Sequence, residues 1–256
     1  MCEPTYFRVD YVINPWMKPG SVDQPKALQQ WTTLKETYES LGVEVEVISQ
    51  RKDLPDMVFA ADQGVVRNKK ILLSNFSYKE RQGETQVYAH WFATHGYQIQ
   101  HLEQSSCEGG ELLGVEGKYF LGTGFRAQSC CVPQLSAWLS TPVTELDLID
   151  SRFYHLDTCF FPLNASTVFY YPAAFSPQAL KKIPELFRNA IEFSEEEVLG
   201  FCANSVRVGK HVLTQKGVSS FEKKLEKLGY TVHALDMSEF VKSGGGIHCL
   251  TLELEA

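Results

Sequence analysis

The residues best suited to covalent chemistry lie near the carboxyl end, in Ser243-Gly244-Gly245-Gly246-Ile247-His248-Cys249. Three glycines in a row let the backbone turn tightly and approach a ligand closely, because no Cβ blocks the positive-φ conformations. A thiol follows at once. The alternating run Leu250, Thr251, Leu252, Glu253, Leu254 then predicts a strand. Cys249 would thus stand at the mouth of a strand, exposed by a loop with almost no side chains, as a nucleophile requires. A cysteine picked at random is more often a small core residue. The glycine run argues otherwise here, and so do the partners found elsewhere in the chain.

Those partners are acidic groups and one imidazole. Glu108 sits between Cys107 and Gly109-Gly110, where glycines again permit close approach. Asp56 and Asp62 flank the segment Met57-Val58-Phe59-Ala60-Ala61, and His155 stands in Phe153-Tyr154-His155-Leu156. Carboxylates bind a cation, a thiol attacks an electrophilic carbon, and an imidazole moves the protons. Each residue also has a plainer reading. Asp62, just before Gln63-Gly64, could serve a turn. His155, among apolar neighbours, could be a satisfied core histidine. His248 would face away from Cys249, because successive strand residues point to opposite sides. The separation of His155 and Cys249 in the chain matches no compact zinc motif.

The elements that must position these groups recur. A helical pattern over residues 24–41 is followed by a strand pattern over 43–48, then by strand patterns at 57–61 and 64–76 around Arg67-Asn68-Lys69-Lys70. The same order returns as a helix at 84–95, a strand at 97–102 and a hairpin at 111–122 around Glu116-Gly117. A helix at 128–139, a strand at 143–149 and a hairpin around Asn164-Ala165-Ser166 make the third pass. A helix at 177–190, a strand at 198–201 and a hairpin around Val208-Gly209-Lys210 make the fourth. The fifth has a helix at 221–228, a strand at 230–235 and the glycine-cysteine strand, whose partner would be residues 6–13. Five passes with a period of roughly 45–50 residues indicate a repeat architecture closed into a ring. The alternative is an ordinary α/β sheet of irregular strand order. Residues 14–23 read as a loop. Residues 184–197 fit no repeat, and their acidic stretch reads as a solvated face. Asp56 and Asp62, Glu108, His155 and Cys249 fall at the same place in successive passes. Repeats arranged about an axis would therefore bring them into one central cavity.

Composition bounds the partners. The chain has 256 residues, 44% of them hydrophobic, enough for one large domain spanning 1–256. A net charge of −7 argues against nucleic acid or an anionic membrane as partner. Met1-Cys2-Glu3-Pro4 opens without a basic, apolar leader, and no run is long and apolar enough to span a membrane. Seven cysteines without a Cys-x-x-Cys pair imply reduced thiols and a cytoplasmic setting.

Taken together, Asp56-Met57-Val58-Phe59-Ala60-Ala61-Asp62, Arg81-Gln82-Gly83-Glu84, Cys107-Glu108-Gly109-Gly110-Glu111, Tyr154-His155-Leu156 and Gly244-Gly245-Gly246-Ile247-His248-Cys249 carry a resemblance over nearly the whole chain. It resembles the guanidino-group-modifying (pentein) superfamily, closest to dimethylarginine dimethylaminohydrolase and related arginine hydrolases. The resemblance implies an α/β fold, a five-fold pseudosymmetric propeller of repeated ββαβ-type units around a central active-site cavity. It implies that Cys249 attacks a guanidinium carbon, that His155 protonates the leaving amine and then activates water, and that Glu108 and Asp62 grip the guanidinium, with Asp56 nearby. It places Arg81 and Arg126 on the substrate's α-carboxylate. No metal or organic cofactor is implied. The partner is a small guanidino compound, and relatives often form homodimers. The sequence departs from the family at Ala61-Asp62, where two acidic residues are usual. Ile13-Asn14-Pro15-Trp16-Met17 looks like the arginine dihydrolase branch, which releases ornithine, yet that branch carries Asn where this chain has Asp62. The implied reactions are dimethylarginine hydrolysis to citrulline, arginine deimination or dihydrolysis, and amidino transfer. A non-catalytic binding module of the same fold is the reading from another class.

Overall fold

The computed structural model describes residues 1–102 and 105–254. In chain order its elements are α1 (Gln24–Ser40), β1 (Gly64–Arg67), β2 (Lys70–Leu73), α2 (Lys79–Thr94), β3 (Gln98–His101), β4 (Leu112–Val115), β5 (Lys118–Thr123), α3 (Val132–Leu139) and β6 (Val143–Asp147). There follow β7 (Phe160–Asn164), β8 (Thr167–Tyr170), α4 (Pro177–Leu186), β9 (Asn189–Glu192), α5 (Glu195–Leu199), β10 (Val206–Val208), β11 (His211–Gln215), α6 (Ser219–Lys227), β12 (Thr231–Leu235) and α7 (Ser238–Val241). The chain falls into two compact units. One comprises Met1–Ala60 and Ser194–Thr251, the other Ala61–Phe193 with the tail from Leu252.

The unit beginning at Ala61 holds three copies of one motif. A tight antiparallel hairpin is followed by a helix and by a third strand parallel to the hairpin's second strand. The sheets are β1-β2-β3, β4-β5-β6 and β7-β8-β9, with α2, α3 and α4 as the crossovers. A parallel partner cannot be reached by a tight turn, so a helix intervenes. The first two hairpins turn through Asn68-Lys69, with φ of 51° and 57°, and Glu116-Gly117, with φ of 46° and 83°. Positive φ at both turn residues matches the twist of the flanking strands. Crossover α4 starts at Pro177 behind Ser176, whose Oγ accepts from Ala179 N–H at 3.3 Å. Leu72, Leu112, Leu121, Leu135 and Leu139 share one buried cluster, each contributing about 2 kcal/mol of burial.

The other unit holds one further copy, β10-β11-β12 with α6. Its core packs Ala27, Trp31, Leu34 and Tyr38 of α1 with Phe7, Phe59, Leu213 and Phe240. Phe7 stacks on Phe240 at 4.9 Å and meets Phe59 edge-on at 5.8 Å.

Several expected elements differ. Residues 43–48 form no strand; Ile48 makes a single parallel bridge to Cys2. Their alternation suits a strand, but one bridge does not make a ladder. Residues 6–13 also stay irregular, because side chains take the groups a ladder would use. Gln50 Oε1 accepts Tyr6 N–H at 2.6 Å, and Arg8 Nη1 donates to Tyr6 O at 2.9 Å. Met57 and Val58 lie in the 3-10 turn Pro55–Val58 and Ala60 and Ala61 in the 3-10 turn Ala60–Gln63, with Phe59 between them. Residues 198–201 close a helix rather than form a strand. The Ser194/Glu197 capping box starts α5, and the strand that completes the β7-β8 sheet is β9, within residues 184–197 that fitted no repeat. Cys249 occupies a turn. Leu250 N–H donates to Gly246 O at 3.2 Å and Thr251 N–H to His248 O at 2.9 Å, helix-like bonds that compete with an extended strand.

Candidate active site

Three of the four copies place a carboxylate or carboxamide side chain just ahead of the hairpin's first strand: Asp62 before β1, Glu108 before β4, and Asn204 before β10. His155 stands in the corresponding segment before β7. Each lies in a 3-10 turn or irregular stretch that brings a side chain to the end of its hairpin.

In the unit beginning at Ala61, five expected residues meet. His155 Nε2 is 3.0 Å from Glu108 Oε2, and its Nδ1 is 3.5 Å from Asp62 Oδ1. Arg126 Nη1 donates to Glu108 Oε1 and Oε2 at 3.2 and 3.0 Å. Arg81 Nη1 donates to Asp62 Oδ2 at 2.6 Å, and its Nε and Nη2 reach Glu84 Oε1 and Oε2 at 3.0 and 2.9 Å. All six side chains are buried. Aromatic faces complete the lining: Arg126 lies 4.4 Å from the Tyr78 ring and 4.8 Å from that of Tyr154, and Arg81 lies 4.5 Å from Phe76.

The glycines beside Glu108 have a steric reason. A Cβ on Gly109 would sit 1.9 Å from Ala61 O, and one on Gly110 would sit 2.7 Å from both Asp62 Oδ1 and His155 Nδ1. Glu108 itself caps the turn Gly109–Glu111, where Glu111 Oε2 accepts Glu108 N–H at 2.9 Å. Thr158 Oγ1 and N–H both donate to His155 O, fixing the backbone that carries the imidazole.

Electrostatics divides the two glutamates. Burial alone would raise the Glu108 carboxyl, but the hydrogen bond from His155 and the charge of Arg126 hold it at about 2. Glu108 is therefore ionised and can only accept, which assigns a proton to His155 Nε2. Burial and the neighbouring Glu108 charge push Glu111 well above the carboxylate range.

The other unit carries Cys249 and Asp56. Cys249 Sγ accepts from Asn204 Nδ2 at 3.1 Å. Asp56 Oδ1 accepts from Ser243 Oγ at 3.0 Å, and Asn14 Nδ2 donates to Ser243 O at 3.0 Å. A Cβ on Gly245 would lie 2.3 Å from the Phe59 ring, so the glycine loop packs directly on that aromatic.

Sequence reasoning did not single out Glu84, Glu111, Ser243 or Asn204. Asn204 had a usable signal, its place ahead of the fourth hairpin. Arg81 and Arg126, expected on a substrate carboxylate, direct guanidinium N–H groups at protein carboxylates. Among the described residues no group of three or more His, Cys, Asp or Glu is placed to hold a metal ion, and no helix is long and apolar enough to cross a membrane.

Similarity to known proteins places the chain in a class. The crystal structure of the N-terminal domain of ArgZ bound to product, an arginine dihydrolase from the ornithine-ammonia cycle in cyanobacteria, matches with a TM-score of 0.95 at 36% identity. The match covers 98% of this chain and 95% of that one. The fold class is thus α/β with repeated strand–strand–helix–strand units, as the repeats implied. Residues 7–256 match the family described as N,N dimethylarginine dimethylhydrolase, eukaryotic, and the chain belongs to that family. It is 36% identical over 258 residues to N(G),N(G)-dimethylarginine dimethylaminohydrolase of Mycobacterium tuberculosis, covering 99% of this chain and 84% of the relative. It is 37% identical over 265 residues to the bifunctional arginine dihydrolase/ornithine cyclodeaminase ArgZ of Synechocystis sp., covering 99% of this chain. The chain spans 37% of that bifunctional relative's length.

Proposed function

We propose that the chain is one catalytic domain, a cysteine-dependent hydrolase that cleaves a guanidinium C–N bond of N-methylated arginine or arginine. The observation that carries the reading is the imidazole of His155, held by the ionised Glu108 and facing Asp62. Such a group is oriented and electrostatically supported for proton transfer. Glu108, Asp62 and Glu84 outnumber the two arginines by one carboxylate, which favours a cationic ligand.

In this reading the Cys249 thiolate attacks the guanidinium carbon. The departing amine takes a proton from His155, leaving a covalent thiouronium. His155 then takes a proton from water, the oxygen adds to the same carbon, and the C–S bond breaks. The products are a ureido compound, citrulline for an arginine substrate, and an amine. The thiolate is regenerated. Thiol, imidazole and water carry every step, without a metal or organic cofactor. A reducing, cytoplasmic setting would keep Cys249 and the other cysteines as thiols.

A second reading, arginine dihydrolysis to ornithine, carbon dioxide and ammonia, is favoured by the likeness to ArgZ. Incubation with dimethylarginine, with arginine, and with arginine plus glycine tests both. Citrulline from dimethylarginine supports the first reading, ornithine from arginine the second, and guanidinoacetate would mean amidino transfer. Cys249→Ser should stay folded and lose at least about 10³-fold in turnover; undiminished turnover would overturn the assignment.

A further inference from the structure

We propose that Asn204 is a positioning residue for Cys249, holding its sulfur in one orientation and favouring its charged form. The proposal rests on reading Cys249 as the nucleophile. Both side chains are buried, and the contact is two-pointed. Cys249 N–H donates to Asn204 Oδ1 at 3.2 Å, while Asn204 Nδ2 donates to Cys249 Sγ at 3.1 Å. A backbone N–H can only donate, so the amide oxygen must face it. That turns the NH2 group toward the sulfur. A thiol sulfur is a weak acceptor and a thiolate a strong one. The contact therefore strengthens as the proton leaves, which is how a fixed donor favours an anion.

Much of the surrounding chain serves this placement. His248 N–H donates to Asn204 O at 3.2 Å, so the two segments are joined along the backbone as well. A Cβ on Gly246 would lie 2.9 Å from Asn204 Oδ1, so that glycine lets the amide close on the turn. On the other side, the Ser194/Glu197 capping box sets α5, and Cys202 N–H returns to Glu197 O at 3.1 Å. Phe201 then takes φ of 58°, a left-handed conformation costly for a bulky residue. Trp16 holds its ring edge-on at 4.8 Å. Asn204 N–H donates to Phe201 O at 3.1 Å. The titratable side chains on adjoining segments of this unit include His248, next in the chain, Cys202, two residues before Asn204, Glu197 of α5, Tyr38, whose OH bonds Thr251 at 3.1 Å, and Asp56, bonded to Ser243 of the glycine loop.

The test follows alkylation of residue 249 by iodoacetamide, resolved from the other cysteines by peptide mass spectrometry, from about pH 5 to about pH 10. Asn204→Asp keeps an acceptor for Cys249 N–H but replaces the donor with a carboxylate. Its alkylation midpoint should rise by about one pH unit or more, and its rate at neutral pH should drop about 10-fold. An unchanged profile would overturn the proposal. If the variant unfolds, the native protein supplies the reading by NMR. The Asn204 side-chain amide resonance should titrate with the thiol and stop doing so in Cys249→Ser; a resonance that never moves also overturns it. Neither readout needs substrate. Undiminished turnover in Cys249→Ser would defeat the functional reading while leaving the alkylation result intact.

Discussion

Glu108 Oε2 lies 3.0 Å from both His155 Nε2 and Arg126 Nη1, so one buried carboxylate serves an imidazole and a guanidinium at once. The arrangement is self-consistent. The hydrogen bond from His155 and, after it, the charge of Arg126 keep the carboxylate ionised against its burial, the ionised carboxylate keeps a proton on Nε2, and the ring is left with Nδ1 toward Asp62. A catalytic imidazole needs this fixed tautomer as much as it needs a suitable proton affinity.

Glu108→Gln separates these roles. The amide preserves size but replaces the anion facing the buried Arg126 charge with a neutral group. Chemical unfolding should show a loss of about 3 kcal/mol or more. Turnover should fall at least about 10²-fold, because in the proposed reaction His155 carries the protons and would lose its orienting anion. Steady-state rates near the native value would refute this role.

The acid limb of stability should report the same carboxylate. Glu108 falls from an ordinary 4.5 to about 2 in the folded chain. A lowered carboxyl contributes stability that is complete above the ordinary value and is lost as pH falls toward the folded one. Urea unfolding should therefore show native protein and Glu108→Gln converging as pH drops from about 5 toward about 2. Glu111 carries the opposite sign. Burial raises it, so its contribution is complete below 4.5 and is lost as pH rises through its elevated value. A gap between native and Glu108→Gln that stays constant with pH would contradict the assignment.

Gly110→Ala should damage catalysis more than any surface change. The added methyl meets His155 Nδ1 and Asp62 Oδ1 at 2.7 Å, and one of them must move. Overpacking of this kind costs about 1–3 kcal/mol, and turnover should fall with the displaced imidazole. Gly109→Ala meets backbone at 1.9 Å and should be the less stable of the two by thermal unfolding. Native activity in Gly110→Ala would mean that His155 and Asp62 yield freely.

The hairpins, most of the crossover helices and the acidic, glycine-flanked segments were legible in the order of the residues. These depend on residues a few positions apart: positive-φ turns at Asn68-Lys69 and Glu116-Gly117, apolar spacing in α1, Gly109-Gly110 beside Glu108. The same locality explains the errors. Residues 250–254 alternate like a strand, yet helix-like bonds to Gly246 and His248 hold the Cys249 turn; a helical pattern carried to residue 190 ran into β9, and an acidic run concealed the capped start of α5. Tertiary structure alone decided which polar groups meet. The Asn204–Cys249 contact joins residues 45 positions apart, and the Glu108–His155 contact joins residues 47 apart. Burial made those meetings consequential, because a charge or hydrogen bond shielded from water acts far more strongly than one left in it.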